Sequence, residues 1–121
     1  MAVAVVGTGF IGPVHVEALR RLNIEVKGIL GSSPEKSERS AKSLGLEVGY
    51  KSYKDIMKDR DINVVHITSP NRHHLEQASD ALNAGKHVVC EKPLAMTTKE
   101  TTELVKFSQR EPELIAAVNY N

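Results

Sequence analysis

An acidic and a basic residue stand side by side in segment 90–95 (CEKPLA), directly after an apolar run that is typical of a buried strand. A lysine at such a strand end can donate a hydrogen bond to a substrate oxygen, and a glutamate beside it can hold the lysine or tune its charge. Pro93 restrains Lys92, because the residue before a proline is pushed toward extended geometry. In isolation the segment is typical of a solvated charged turn. At the edge of a ligand-binding crevice it predicts Lys92 and Glu91 as catalytic residues.

Three glycines near the start, Gly7, Gly9 and Gly12, have the spacing G-x-G-x-x-G. In dinucleotide-binding proteins the first allows a tight turn, the second lets the backbone approach a pyrophosphate, and the third lets helix and strand pack closely. The motif follows an apolar strand and opens an amphipathic helix whose free N–H groups favour phosphate, which is the context it requires. A plain strand–helix turn is the alternative. The cofactor contacts predicted here are Gly7, Thr8, Gly9, Phe10, Ile11 and Gly12.

The end of the second strand bears on the choice of cofactor. NAD-binding proteins commonly carry an acid about 20 residues after the glycines, where it bonds the ribose 2′-hydroxyl. Here that position is Gly31, followed by Ser32 and Ser33, and Lys36 and Arg39 lie on the next helix. No carboxylate repels a 2′-phosphate, and the hydroxyls can donate to one. We therefore expect NADP to bind at least as well as NAD, with Ser33 also capping the helix.

A second candidate loop, TSPNRHH, follows the fourth predicted strand. Ser69, Pro70 and Asn71 form a turn that caps the next helix. His73 and His74 lie in the first turn of that helix, but adjacent helical residues point in different directions and make a poor metal pair. We expect no metal site. In an open α/β sheet this loop borders the cofactor crevice, so contact with the nicotinamide half is expected.

Strands and helices alternate along the whole chain. The predicted strands are 2–6, 24–30, a short one at 47–50, 62–68, 86–91 and 113–120. The predicted helices are 10–22, 33–45, 52–59, 71–85 and 97–110. This order requires right-handed parallel crossovers, which predicts an α/β fold: a doubly wound, mostly parallel sheet of the Rossmann type, with about six strands and helices on both faces. Ligands then bind outside the carboxyl ends of the strands.

The apolar spacing of the first helix places four residues on one face: Ile11, Val14, Ala18 and Leu22. On the helix at 71–85 the inward positions are Leu75, Ala78 and Leu82. Three further histidines lie on predicted strands or on the first helix, where we expect structural rather than catalytic roles: His15, His66 and His87.

Composition excludes several classes of function. The 121 residues suit one domain, and with 40% hydrophobic and 26% charged residues they can form a core. A formal net charge of +1 gives no case for nucleic acid or an anionic membrane as partner. The single cysteine, Cys90, excludes an internal disulfide and favours a reducing, cytoplasmic compartment. The apolar start lacks a basic region and is interrupted by glycines and a proline, so it is neither a signal peptide nor a membrane span.

Three stretches together resemble the Gfo/Idh/MocA oxidoreductases, a family that includes glucose–fructose oxidoreductase and inositol dehydrogenases. They are GTGFIGPVHVEAL, SPNRHHLEQASDALNAGKHVVCEKPLA and the helix that follows, so the resemblance covers essentially the whole chain. It implies an NAD(P)-binding Rossmann domain over 1–121. It also implies a dehydrogenase that transfers hydride between nicotinamide and a sugar or polyol-type small molecule.

The resemblance also implies roles for particular residues. The three glycines would contact the pyrophosphate, and Glu91, Lys92 and Pro93 match the E-K-P of the family, in which the lysine sits at the nicotinamide and the substrate. The last strand of family members approaches the nicotinamide near the position of Asn119. The turn implied to line the cofactor site consists of Thr68, Ser69, Pro70, Asn71 and His74.

Family members also have a second α/β domain, with an open antiparallel sheet, that supplies most substrate contacts and usually an aspartate and a histidine for proton transfer. We expect this domain to be absent from the chain, which would then bind cofactor but turn over poorly or not at all. Self-association into a homo-oligomer stays open. A non-catalytic NAD(P)-binding regulatory or redox-sensing module is the main alternative. A nucleotide-using methyltransferase shares the glycine loop, but the long middle motif argues against it.

Overall fold

The structure, a computed structural model that describes residues 1–120, is built on a six-stranded sheet in which every neighbouring pair is parallel. The strands are β1 Ala2–Val6, β2 Glu25–Leu30, β3 Val48–Gly49, β4 Ile62–Ile67, β5 His87–Glu91 and β6 Ala116–Asn119. The helices are α1 Ile11–Arg21, α2 Pro34–Leu44, α3 Tyr53–Lys58, α4 His74–Asn83 and α5 Thr98–Arg110. Every predicted strand and helix is present.

The strand order β3-β2-β1-β4-β5-β6 confirms the predicted Rossmann fold. From β1 the chain winds outward through β2 and β3, and then returns to β4 on the other side of β1. With right-handed crossovers this reversal places helices on both faces and opens a crevice where β1 and β4 end. Side chains alternate between the faces, so Val3 and Val5 pack with α1 and α2, whereas Ala4 and Val6 belong to the core beneath α4 and α5.

Two boundaries differ from the prediction by three residues, and the others agree within two. The helix expected from residue 71 begins as a 3₁₀ turn over Asn71–His73, and the α-helix starts at His74. The last strand begins at Ala116 rather than 113, because the backbone N–H of Leu114 bonds the carbonyl oxygen of Glu111 and closes a turn before the strand. The predicted cap holds: the Ser33 hydroxyl accepts the backbone N–H of Lys36 at 3.3 Å.

The buried face of α1 is not the one that the apolar spacing selected. Val14 and Leu22 are 49% and 70% exposed, whereas the buried positions are Gly12, His15, Val16 and Leu19. A Cβ atom on Gly12 would lie 2.0 Å from the Gly7 carbonyl oxygen, so this close approach fixes how the helix is rotated on the sheet. The four predicted residues instead border an open groove beside the helix. Within residues 1–120, no helix combines the length and apolar character needed to cross a membrane.

Candidate functional site

A cleft of about 780 Å³ lies at the carboxyl ends of β1, β2 and β4, where the strand order reverses. Its walls are the glycine loop after β1, the start of α2 and the loop after β4. Eight of the predicted site residues line it: Gly7, Thr8, Gly9, Ser32, Lys36, Thr68, Ser69 and Pro70. Among residues 1–120 the lining contains no aspartate or glutamate, but it includes Lys36, Arg39 and Arg72. The cleft is therefore suited to an anionic ligand.

The three glycines have different surroundings. Gly7 has a φ of +114°, and a Cβ atom there would lie 2.5 Å from the Thr68 hydroxyl oxygen. Thr68 in turn donates that hydroxyl to the Val6 carbonyl oxygen at 2.9 Å, which ties the glycine loop to the end of β4. Gly12 packs against the Gly7 carbonyl, as described above. A Cβ atom on Gly9 would meet nothing within 4 Å, so its backbone faces open space into which a pyrophosphate fits.

The start of α2 forms a polar wall of the cleft. The Lys36 ammonium donates to the Ser32 hydroxyl at 3.0 Å, and Arg39 and Ser40 line the same wall one turn further on. Ser33 is occupied as the helix cap and is not a lining residue. Sequence reasoning noted Arg39 but not Ser40, which the helical spacing from Lys36 could have indicated.

The loop after β4 separates the two adjacent histidines. His73 and Arg72 line the cleft, as expected of the loop TSPNRHH, although neither was named as an individual cofactor contact. Gln77 also lines it and was not predicted. His74, which was predicted to line it, is fully buried: Nδ1 lies 2.7 Å from the Pro93 carbonyl oxygen and Nε2 lies 2.9 Å from that of Ser69. Asn71 is exposed in the 3₁₀ turn outside the cleft. His74 thus links two loops rather than forming a wall.

The tip of β5 lies beside the cleft. Ile67 of β4 pairs with Cys90 of β5, so Thr68 and Glu91 occupy equivalent positions on adjacent strands. Lys92 and Pro93 are exposed, joined by a cis peptide bond, and the Lys92 ammonium makes no ion pair within residues 1–120. The predicted hydrogen bond between the Glu91 and Lys92 side chains is absent from this described part of the chain. Lys92 is left available to a ligand.

Glu91 is instead held in a network on the α1 side of the sheet, and it is only 8% exposed. Its Oε1 lies 2.9 Å from Nε2 of His15 and accepts Nδ2 of Asn119 at 2.6 Å. Nδ1 of His15 lies 2.8 Å from Nδ1 of His66. Burial alone would raise the pKa of Glu91, but the hydrogen bonds from Asn119 and His15 outweigh it and lower that pKa. Burial and the adjacent His15 lower the pKa of His66 to about 4.

Sequence reasoning assigned His15 and His66 purely structural roles and placed Asn119 at the nicotinamide. The structure brings all three together around Glu91. A signal for His15 existed: it lies three residues after Gly12, on the same face of α1. The remaining predicted contacts, Phe10 and Ile11, lie at the start of α1, with Phe10 85% exposed and Ile11 facing the groove beside the helix.

A family model described as an oxidoreductase family with an NAD-binding Rossmann fold matches residues 1–120. This chain belongs to the Gfo/Idh/MocA oxidoreductases. The family resemblance inferred from the sequence is thereby confirmed, and the chain is an NAD(P)-binding Rossmann domain of that family.

Several relatives and solved structures are similar to this chain over most of its length. An inositol 2-dehydrogenase/D-chiro-inositol 3-dehydrogenase of Lactiplantibacillus plantarum is 35% identical over 106 residues, which cover 85% of this chain and 30% of the relative. A levoglucosan dehydrogenase solved with NADH and levoglucosan superposes with a TM-score of 0.91 at 31% identity, covering 98% of this chain and 34% of that one. A biliverdin reductase from Synechocystis sp. PCC 6803, solved with biliverdin and NADP+, superposes with a TM-score of 0.88 at 28% identity. The match covers 98% of this chain and 37% of that one.

The cleft has features that suit the dinucleotides present in two of these solved structures, NADH and NADP+. The open space at Gly9, the basic lining and the absence of carboxylates among the described lining residues all suit a dinucleotide pyrophosphate. The chain spans about a third of the length of the curated relatives it matches.

Proposed function

We propose that this chain is the cofactor-binding part of an NAD(P)-dependent oxidoreductase that transfers a hydride between nicotinamide and a sugar or polyol-type substrate. The observation that carries the proposal is the basic cleft at the glycine loop, which the described residues line without any carboxylate side chain, with the exposed Lys92 just after the adjacent strand. The inositol and levoglucosan dehydrogenases among the relatives support the substrate class.

In this proposal the glycine loop and the first turn of α1, including Thr8, Phe10 and Ile11, face the pyrophosphate with free N–H groups. A 2′-phosphate is held by Ser32 and Lys36, with Arg39 nearby. The Ser33 cap fixes the start of the helix that carries Lys36 and Arg39. NADP then binds at least as tightly as NAD. When bound, the nicotinamide supplies the centre that accepts or donates hydride.

Lys92 acts as the hydrogen-bond donor to the reacting oxygen of the substrate. Its ammonium donates a hydrogen bond to a substrate hydroxyl or carbonyl oxygen, which stabilises negative charge that develops there. Glu91, with Pro93 and Asn119, contributes by orienting that lysine rather than by touching the substrate. Thr68, Ser69 and Pro70 form the side of the cleft nearest to that lysine, with His74 behind them and Asn71 outside the cleft.

Most substrate contacts come, in this proposal, from segments that have no counterpart in these 121 residues, because the relatives are about three times as long. The chain alone then binds cofactor with little or no turnover. A cytoplasmic location and self-association stay predictions.

Isothermal titration of the 121-residue chain with NADP+ and with NAD+ tests the proposal. We expect both to bind, with NADP+ at least as tight, and no strong reduction of either cofactor when inositol or levoglucosan is added. Failure of both cofactors to bind contradicts the function. A clear preference for NAD+ contradicts only the assignment of the 2′-phosphate wall, and robust turnover contradicts the dependence on further segments.

A further inference from the structure

Lys92 sits between two residues that are tied to opposite sides of the sheet. Its own side chain is exposed, and its ammonium forms no ion pair within the described residues 1–120. Glu91, before it, bonds His15 of α1, and the carbonyl of Pro93, after it, contacts His74 of α4. Both neighbours of the exposed lysine are therefore held by a histidine, Glu91 through its side chain on one face and Pro93 through its carbonyl oxygen on the other.

On the α1 side, the donor and acceptor of each hydrogen bond in the chain from His66 through His15 to Glu91 can be assigned. The ionised Glu91 carboxylate can only accept, so Nε2 of His15 donates to it. In a neutral His15 ring Nδ1 is then an acceptor, and it receives Nδ1–H of His66. The two rings meet edge to face, with centroids 5.1 Å apart, and His15 is 9% exposed. The arrangement leaves the Glu91 carboxylate little room to rotate.

On the α4 side a single fully buried ring joins two loops. His74 lies 2.7 Å from the Pro93 carbonyl oxygen through Nδ1 and 2.9 Å from the Ser69 carbonyl oxygen through Nε2. Ser69 lines the cleft, so this ring sets the distance between the lysine-bearing segment and the cleft wall.

We propose that His15 and His74 are positioning residues that fix the backbone of Lys92 from opposite faces of the sheet and so direct its ammonium to the nicotinamide end of the cleft. The inference rests on the proposed function for its purpose, but the positioning itself is measurable without cofactor. If the two histidines only stabilise the fold, their substitution lowers stability and leaves the surroundings of Lys92 unchanged.

The first test uses NMR of the 121-residue chain with ¹³C-labelled lysine and glutamate. In the wild type we expect the Lys92 backbone to be as ordered as that of Cys90. The amide nitrogen of glutamine reaches about as far as Nε2 of histidine, and that of asparagine about as far as Nδ1. His15→Gln is therefore expected to retain the Lys92 signals. His15→Asn is expected to shift them and to raise the titration midpoint of the Glu91 carboxyl.

The second test reverses that ranking at the other histidine. His74→Asn can still reach the Pro93 carbonyl and is expected to retain the Lys92 signals, whereas His74→Gln is expected to lose them. His87→Gln is the matched control: Nδ1 of His87 accepts the Ile115 amide at 2.9 Å at the far end of β5, and glutamine, which mimics Nε2, loses that bond. It is expected to leave Lys92 unchanged.

Adding NADP+ separates this inference from the proposed function. In the wild type we expect the Lys92 ε-methylene signal to shift on binding, and in His15→Asn we expect that shift to be largely lost while binding at the cleft persists. A wild-type chain that binds neither NADP+ nor NAD+ contradicts the proposed function alone. Lys92 signals that are the same in all folded variants, or a Lys92 backbone as mobile in the wild type as a free loop, overturn the positioning role.

Discussion

Ser32 follows β2 and Lys36 lies in the first turn of α2, and together they form the wall that we propose holds a 2′-phosphate. Lys36→Ala removes the ammonium nearest to that wall but keeps the helix, since alanine has a high helix propensity. We expect NADP+ affinity to fall about tenfold, which corresponds to about 1.4 kcal/mol, because a charge-assisted hydrogen bond to phosphate is lost. NAD+ affinity is expected to change much less. Isothermal titration of both cofactors measures the difference.

Lys42 provides the control for this substitution. It lies in the last turn of the same helix and does not line the cleft, so Lys42→Ala removes the same charge at a distance. Equal losses of NADP+ and NAD+ affinity in the Lys36 variant, or an equal effect of the Lys42 variant, would show that the wall does not read the 2′-phosphate.

Individual residues were predictable from the sequence to different degrees. The glycines and Ser32 could be placed because their role follows from local backbone geometry next to a strand end. His74 and Glu91 could not, because their side-chain partners come from elements far away in sequence: Pro93 is 19 residues from His74, and His15 is 76 from Glu91. Sequence spacing indicates which element carries a side chain but not which neighbour it contacts.

The glycine loop and α1 function as one element, and two of its glycines separate stability from binding. Gly12→Ala would place a methyl group 2.0 Å from the Gly7 carbonyl oxygen, a backbone atom that cannot easily move. We expect a loss of about 1–3 kcal/mol in the free energy of unfolding, since overpacking forces the backbone apart. Urea denaturation followed by circular dichroism measures it.

Gly9→Ala is the paired variant. Its methyl group meets no protein atom within 4 Å, so stability is expected to stay within about 0.5 kcal/mol of the wild type. The methyl group would occupy the space left for the pyrophosphate, so cofactor affinity is expected to fall. Destabilisation of both variants alike would contradict the different roles assigned to these two glycines.

Elements were predicted better than their orientations. The alternation of apolar runs with capped helices was sufficient to predict every strand and helix, because hydrophobic periodicity and capping residues are local signals. The rotation of α1 was wrong because the contact that sets it, Gly12 against Gly7, involves no apolar side chain. Periodicity alone placed Val14 and Leu22 on the apolar face of the helix, and both are exposed.

Across the molecule as a whole, the two ends of the parallel strands have different roles. The cleft lies at their carboxyl ends, whereas a charged cluster near their amino ends joins β2, the α3–β4 loop and the start of β5. The Lys27 ammonium lies 2.8 Å from both Asp59 and Asp61, and the buried Lys86 ammonium donates to the Asp59 carbonyl oxygen at 2.8 Å. This cluster lies at the edge of the sheet opposite to the cleft, so it can be altered to test stability without touching the candidate site.

Because of Asp59, the free energy of unfolding of the domain should decrease at low pH. Burial works against its ionised form, but hydrogen bonds from Lys27 and Tyr50 prevail and lower the pKa of Asp59 below its ordinary value of 3.8. A carboxyl whose folded pKa is depressed contributes stability above its unfolded pKa and loses it as the pH falls through the folded pKa. Asp59→Asn is therefore expected to cost about 2 kcal/mol at neutral pH, and the deficit should shrink as the pH falls below 3.8.

Asp61→Asn tests whether this effect depends on burial rather than on charge alone. Asp61 bonds the same Lys27 ammonium at the same 2.8 Å, but its side chain is 75% exposed against 17% for Asp59. Exposed ion pairs contribute little, so we expect Asp61→Asn to lower the free energy of unfolding by less than about 1 kcal/mol. Urea denaturation of the wild type and of both variants at several pH values measures the loss of stability in each variant and how the Asp59→Asn deficit changes with pH. If the two variants lose equal stability, or if the Asp59 deficit grows in acid, the cluster does not stabilise the domain through the partly buried Asp59 carboxylate.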